Sequence, residues 1–133
     1  YQIKYLTADV TTTGDVAALT FNNLTVGQTY RIRYYAALTA AGANSSVGIR
    51  IRHNGTTLAH AINRTQTATL NSYVTVPMEA IFTAASTSVA FNVHTLSVGY
   101  GVAWDNEGLG NGKSTYGILE EFSTASIATT AWT

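Results

Sequence analysis

Apolar and polar residues alternate most regularly over residues 47–62, VGIRIRHNGTTLAHAI. A period of two marks a half-buried strand, because successive side chains of a pleated chain point to opposite faces. Asn54-Gly55 breaks the pattern midway. That pair supplies the positive φ angles of a two-residue type I′ turn, so the stretch predicts a β-hairpin. Counting outward sets His53 opposite Thr56, Ile51 opposite Leu58, Ile49 opposite His60 and Val47 opposite Ile62, one almost wholly apolar face. Gly48, Arg50 and Arg52, against Thr57, Ala59 and Ala61, form the other. A hairpin wet on one side has to pack on the other, which calls for a second sheet.

The rest of the chain repeats this short period. Strands are expected at residues 1–6, 16–21, 30–37, 68–76, 79–83, 88–93, 97–104 and 115–122, and the 123–133 tail is read as adding one more. Residues 7–15 read as a turn, 22–28 as a reversal tightest at Gly27, and 39–46 and 63–67 as connections. Pro77 is expected to end the strand before it, Gly99 and Gly101 hint at a bulge, and 105–114 is the longest loop. Along 30–37, Tyr30, Ile32, Tyr34 and Ala36 share one face and Arg31, Arg33 and Tyr35 the other. No segment sustains a helical period. Roughly eight to ten short strands make an all-β domain, a sandwich, jelly roll or barrel.

Composition narrows the function more than the fold. With 133 residues the chain has the size of one domain, and it is 46% hydrophobic but only 11% charged. Seven basic residues balance seven acidic ones, so nothing draws the domain to nucleic acid or anionic lipid. The absence of cysteine removes disulfides, zinc thiolates and thiol nucleophiles. No apolar run is long enough to span a bilayer, so membrane insertion is not expected, nor is a cofactor. The chain starts at Tyr1 and reads as a fragment of something longer.

Catalytic patterns are missing. Gly112-Lys113-Ser114 lacks the glycine that closes a nucleophile elbow, and His53 and His60 do not converge. Glu120 and Glu121 are neighbours on one strand and point to opposite faces, so they cannot form a glycosidase pair; one of them is expected to meet Arg31, Arg33, Arg50 or Arg52. Asp105, Asn106, Glu107 and Asn111 could offer oxygens to Ca²⁺, but not at EF-hand spacing, and a solvated turn is the favoured reading. His60, opposite Ile49, is expected to be a buried structural histidine; His53 and His94 read as loop or strand-end residues. Tyr30 and Tyr34 are read as core and Tyr35 as interface, against the alternative of a stacking platform. Four N-x-[ST] sequons, at Asn23, Asn44, Asn54 and Asn63, are what a Thr-rich chain gives by chance.

Phe21, Gly27-Gln28-Thr29-Tyr30 and Tyr34 resemble the F…G-x-Y-x-x-x-Y pattern of C1q- and TNF-like jelly rolls. His53-Asn54-Gly55 resembles their Asn-Gly hairpin, and 112–119, GKSTYGIL, their closing S-x-F-x-G-x-x-L strand. The likeness spans about residues 17–122. The wording NNLTVGQTYRIRYYAAL and STYGILEEF is similar to jelly-roll domains of bacteriophage virion proteins, tail-fibre tips and appendages above all. That resemblance implies an antiparallel β-sandwich of jelly-roll topology and a homotrimer on the virion. It further implies contact with other virion proteins and binding to a host-surface glycan or protein receptor through apical loops. Arg31, Arg33 and Tyr35 are then the candidates for the subunit interface. Tyr100, Trp104, Asp105, Asn106, Glu107, Asn111 and Lys113 are those for ligand contact. The rival readings are a capsid decoration protein, a carbohydrate-binding module using Trp104, Tyr100 or Tyr35, and, last, a small hydrolase.

Overall fold

The computed structural model describes residues 1–7, 10–12, 15–39, 45–65, 73–95, 100–103 and 115–122. Over these the chain forms ten strands: β1 (Gln2–Tyr5), β2 (Val10–Thr12), β3 (Asp15–Phe21), β4 (Thr29–Thr39), β5 (Ser45–His53), β6 (Thr56–Thr65), β7 (Tyr73–Thr83), β8 (Val89–Thr95), β9 (Tyr100–Ala103) and β10 (Tyr116–Phe122). They make two antiparallel sheets. One has β4 at its centre, with β7 on one side and, on the other, β10 along its first half and β9 along its second. Because β1 flanks β10 and β2 flanks β9, this layer is four strands wide. The other layer runs β3-β8-β5-β6. Six of the nine connections between consecutive strands change sheet; β1–β2, β5–β6 and β9–β10 stay in one. The orders β1-β10-β4-β7 and β3-β8-β5-β6 are those of a jelly-roll sandwich.

Between the layers lie Tyr30, Ile32, Tyr34, Ala36, Met78, Phe82 and Leu119 from the first sheet and Leu19, Phe21, Ile49, Ile51, Val89, Phe91 and Val93 from the second. The expected inward set of β4 is all buried. Tyr34 is the centre of this core: its ring packs on Phe21 at 6.1 Å and Phe91 at 5.1 Å, and its hydroxyl donates to the Leu19 carbonyl at 3.4 Å. It also covers its cross-strand partner Gly117, where a Cβ would come within 2.5 Å of the ring. Glycine is required there because an aromatic ring fills the space of its side chain. Burial pushes the Tyr34 hydroxyl well above the usual tyrosine range.

Where β4 passes from β10 to β9 its Ala37 N–H would lose a partner. The buried Thr115 hydroxyl accepts it at 3.0 Å, and the Thr115 carbonyl takes the Leu6 N–H at 2.9 Å.

Three expectations about strand boundaries are corrected. Within residues 7–15, Val10–Thr12 is a strand, paired with β9. Residues 63–65 continue β6 rather than connecting. Pro77 does not stop a strand: β7 runs through it, opposite Tyr35. β7 is an edge, hydrogen-bonded to β4 alone among the described strands, and an edge strand loses no ladder bond where a missing N–H would point outward.

The hairpin turn is as expected, with φ of 47° at Asn54 and 78° at Gly55, but its register slips. A bulge at Leu58 leaves Ile51 opposite Ala59, Ile49 opposite Ala61 and Arg50 opposite His60. Because one slipped residue exchanges the faces of a strand, His60 is exposed instead of buried and two small alanines turn inward. His53 is the buried structural histidine. Its Nε2 accepts the Ala85 N–H at 2.8 Å, so the neutral ring carries its proton on Nδ1 and donates it to the Ser88 carbonyl, also at 2.8 Å. Tilted against Phe82, with ring centroids 4.7 Å apart, it ties the β7–β8 connection to the hairpin.

Candidate functional site

The outer face of the β1-β10-β4-β7 half-sheet departs from what a solvated strand face requires. Cross-strand register sets its side chains in rows. The first row is Tyr5–Tyr116–Tyr35–Pro77, the second Ile3–Ile118–Arg33–Glu79, and the third holds Glu120, Arg31 and Ile81. Tyr116 stacks on Tyr35 with centroids 4.9 Å apart and a 22° tilt, and Tyr5 meets Tyr116 at 5.8 Å. Ile3 and Tyr5 are each 42% exposed and Ile81 54%.

β1 is inverted relative to an ordinary surface strand. Its apolar Ile3 and Tyr5 point out, while Lys4 turns in, its ammonium 5.5 Å from the Phe21 ring and donating to the Thr20 carbonyl at 2.8 Å.

Both arginines of this face close onto one carboxylate of the same chain. Arg31 Nε donates to Glu120 Oε2 and Arg33 Nη2 to Glu120 Oε1, both at 2.9 Å. This is the carboxylate–arginine meeting that the sequence pointed to, and Arg31 additionally lies 5.4 Å from the Phe122 ring. Glu79, although directly opposite Arg33, makes no ion pair among the described residues. A cleft of about 130 Å³ lies here, lined by Arg33, Tyr35, Pro77, Met78 and Glu79. Glu121, on the other face of β10, lines a separate cleft of about 140 Å³ with Asn23, Thr25 and Tyr30. The two glutamates therefore share no site.

Of the expected site residues, Arg31, Arg33 and Tyr35 come together on this face, and Tyr100 opens β9 opposite Thr12. Trp104, Asp105, Asn106, Glu107, Asn111 and Lys113 lie outside the described residues. Among the described residues no three His, Asp or Glu side chains gather as metal ligands would. Both ring nitrogens of His53 are engaged by backbone, so that histidine has no lone pair for a base. Sequence reading missed Ile3, Tyr5, Tyr116, Ile118 and Glu79. The inverted alternation of β1 and the two-sided apolarity of β10 were the signals that could have found the first four.

No protein-family model matches the chain, and no curated protein matches it in sequence. Solved structures similar to it include the following two. Dimeric latent PorU from Porphyromonas gingivalis shares 7% identity over 85% of this chain and 10% of that one, with a TM-score of 0.51. The EclA C-terminal domain, a sugar-binding protein, shares 13% identity over 91% of this chain and 77% of that one, with a TM-score of 0.43. This chain thus spans about a tenth of the PorU chain, and at such identity that likeness is one of fold.

Proposed function

We propose that the chain is a non-catalytic adhesion and assembly module, a jelly-roll head that associates with copies of itself and serves on a virion appendage. The observation that carries the reading is the inverted strand β1. It holds Ile3 and Tyr5 outward beside Ile118 and Tyr116 while a lysine takes the inward position. Burying apolar surface stabilises by about 25 cal/mol per Å², so a strand that turns its apolar side outward does so where another surface covers it.

The occupant argued for is a second and third copy of this chain. Glu120 bridges Arg31 and Arg33, and with Glu79 on the same face two carboxylates match two guanidinium groups, so like faces meet without net repulsion. Closed association also covers sheet edges. The wording of residues 22–38 and 114–122, similar to phage virion jelly rolls, supports the virion setting and the number three.

Light scattering on the purified chain, against the 14.1 kDa of one copy, tests it. A mass near three copies, lowered to one by Ile3→Asp, is expected; a single-copy mass for the unaltered chain overturns the self-association.

A further inference from the structure

We propose that the cleft between β4 and β7 is a subsite for one pyranose ring of a surface glycan. Tyr35 would take the apolar face of the ring, and Glu79 and Arg33 its hydroxyl belt. Tyr116 covers one face of the Tyr35 ring, at 4.9 Å, from the β10 side. β7 lies on the opposite side of β4, so the other ring face bounds the cleft. The stack fixes that ring before any ligand arrives, which lowers the entropy lost on binding.

The two charged walls are held apart. Glu79 stands opposite Arg33 in the ladder, yet the guanidinium reaches to Glu120 on the other side of β4. Glu79 is exposed and unpaired among the described residues, so both its oxygens remain acceptors. Arg33 spends one Nη2 hydrogen on Glu120, which leaves the Nη1 pair as donors.

These chemistries select the ligand. An anion meets the Glu79 carboxylate, a cation meets Arg33, and an apolar ligand would have to desolvate both. A neutral polyol with one C–H face and adjacent hydroxyls satisfies all three walls at once, because vicinal hydroxyls donate to a carboxylate and accept from a guanidinium. At about 130 Å³ the cleft is well below the roughly 300 Å³ where drug-sized pockets begin, so it suits a single ring and weak affinity. Useful avidity then comes from several copies on one particle. The avidity rests on the self-association proposed above; the subsite itself does not.

The cleft lies on the β7 side of β4, at the far end of the rows that begin on β1 and β10, so a contact between copies through β1 and β10 leaves it open. The test is a titration of the isotopically labelled chain with methyl hexopyranosides, followed by amide NMR shifts, with solution mass measured in parallel. Saturable millimolar shifts are expected at Arg33–Tyr35 and at Met78 and Glu79. Tyr35→Ala is expected to weaken them by at least about tenfold, Glu79→Gln less, while Tyr35→Phe keeps the ring and the binding.

Glu121→Gln, in the other cleft, should leave them unchanged. No shift with any hexopyranoside, shifts that survive Tyr35→Ala, or stronger shifts with a nucleoside would each overturn the subsite. Sugar binding by a single-copy chain would leave the subsite standing and remove the self-association; a three-copy chain without sugar shifts would do the reverse.

Discussion

The outer faces of the two sheets are built on the same pleat and come out opposite in character. On the β3-β8-β5-β6 sheet, Arg50 lies across from His60 and Arg52 from Thr57, with Asn92 beside Arg50 and the Arg52 guanidinium donating to the Gly55 carbonyl at 2.9 Å. That is the wet side of a sandwich. On the β1-β10-β4-β7 side, Ile3, Tyr5, Tyr116, Ile118 and Ile81 occupy the corresponding outward positions, and the guanidinium groups present there are closed onto Glu120. A face meets water or another protein according to which residues the register turns outward. The period alone does not decide it.

The largest test of that contrast places the same charge on each face. Ile118→Asp is expected to reduce the solution mass to one copy, since an uncompensated carboxylate in an apolar contact is not tolerated. Thr57→Asp, on the other sheet, is expected to leave the mass unchanged. Equal effects from the two would break the comparison.

Next in size is Gly117→Ala, directly beneath the tyrosine row. Tyr34 cannot retreat, because it is enclosed by Phe21 and Phe91; overpacking at such a position costs about 1–3 kcal/mol. The loss should appear as a lower chemical-denaturation midpoint, with the mass of the folded fraction unaltered, which separates inner packing from the outer face. Tyr34 itself should show in alkali. Its hydroxyl ionises near pH 10 in the unfolded chain and only well above that when buried. Above about pH 10 the folded chain binds more protons than the unfolded, so stability falls by about 1.4 kcal/mol per pH unit for this group. Denaturation on either side of that pH should find the slope smaller in Tyr34→Phe by that amount.

The inward half of the molecule was legible because it is local. Tyr30, Ile32, Tyr34 and Ala36 alternate within one strand, and Asn54-Gly55 names its own turn. The jelly-roll order was reached through the wording of residues 21–34 and 112–119 and matches the strand order found. Gly117 belongs to that wording, but its reason is the ring of Tyr34, 83 positions away by the numbering of the pair. The candidate face needed to know which strands are neighbours, and no stretch of sequence says that Tyr5, Tyr116 and Tyr35 form one row. His60 failed for a related cause: a one-residue bulge is invisible to a period of two, and it turned His60 outward, whereas His53, in phase with Ile49 and Ile51 on β5, is buried whatever the bulge does.

The smallest expected effect concerns the charges. Glu120 serves two arginines whose side chains, like its own, are about a quarter to a third exposed, so Glu120→Gln should cost about 1 kcal/mol, near the upper end for such pairs. Its effect on association should be greater than on folding, because Arg31 and Arg33 would then lose the carboxylate that bridges them, beside the face through which the copies are proposed to meet. Salt discriminates between the two. In the unaltered chain the pairs are internal and the contact is apolar, so molar salt is not expected to dissociate it. In Glu120→Gln, association should be weak at low salt and recover as screening shortens the repulsion to a few ångströms. If salt dissociates the unaltered assembly instead, the copies are held by charge between subunits, and the apolar rows of β1 and β10 face something else.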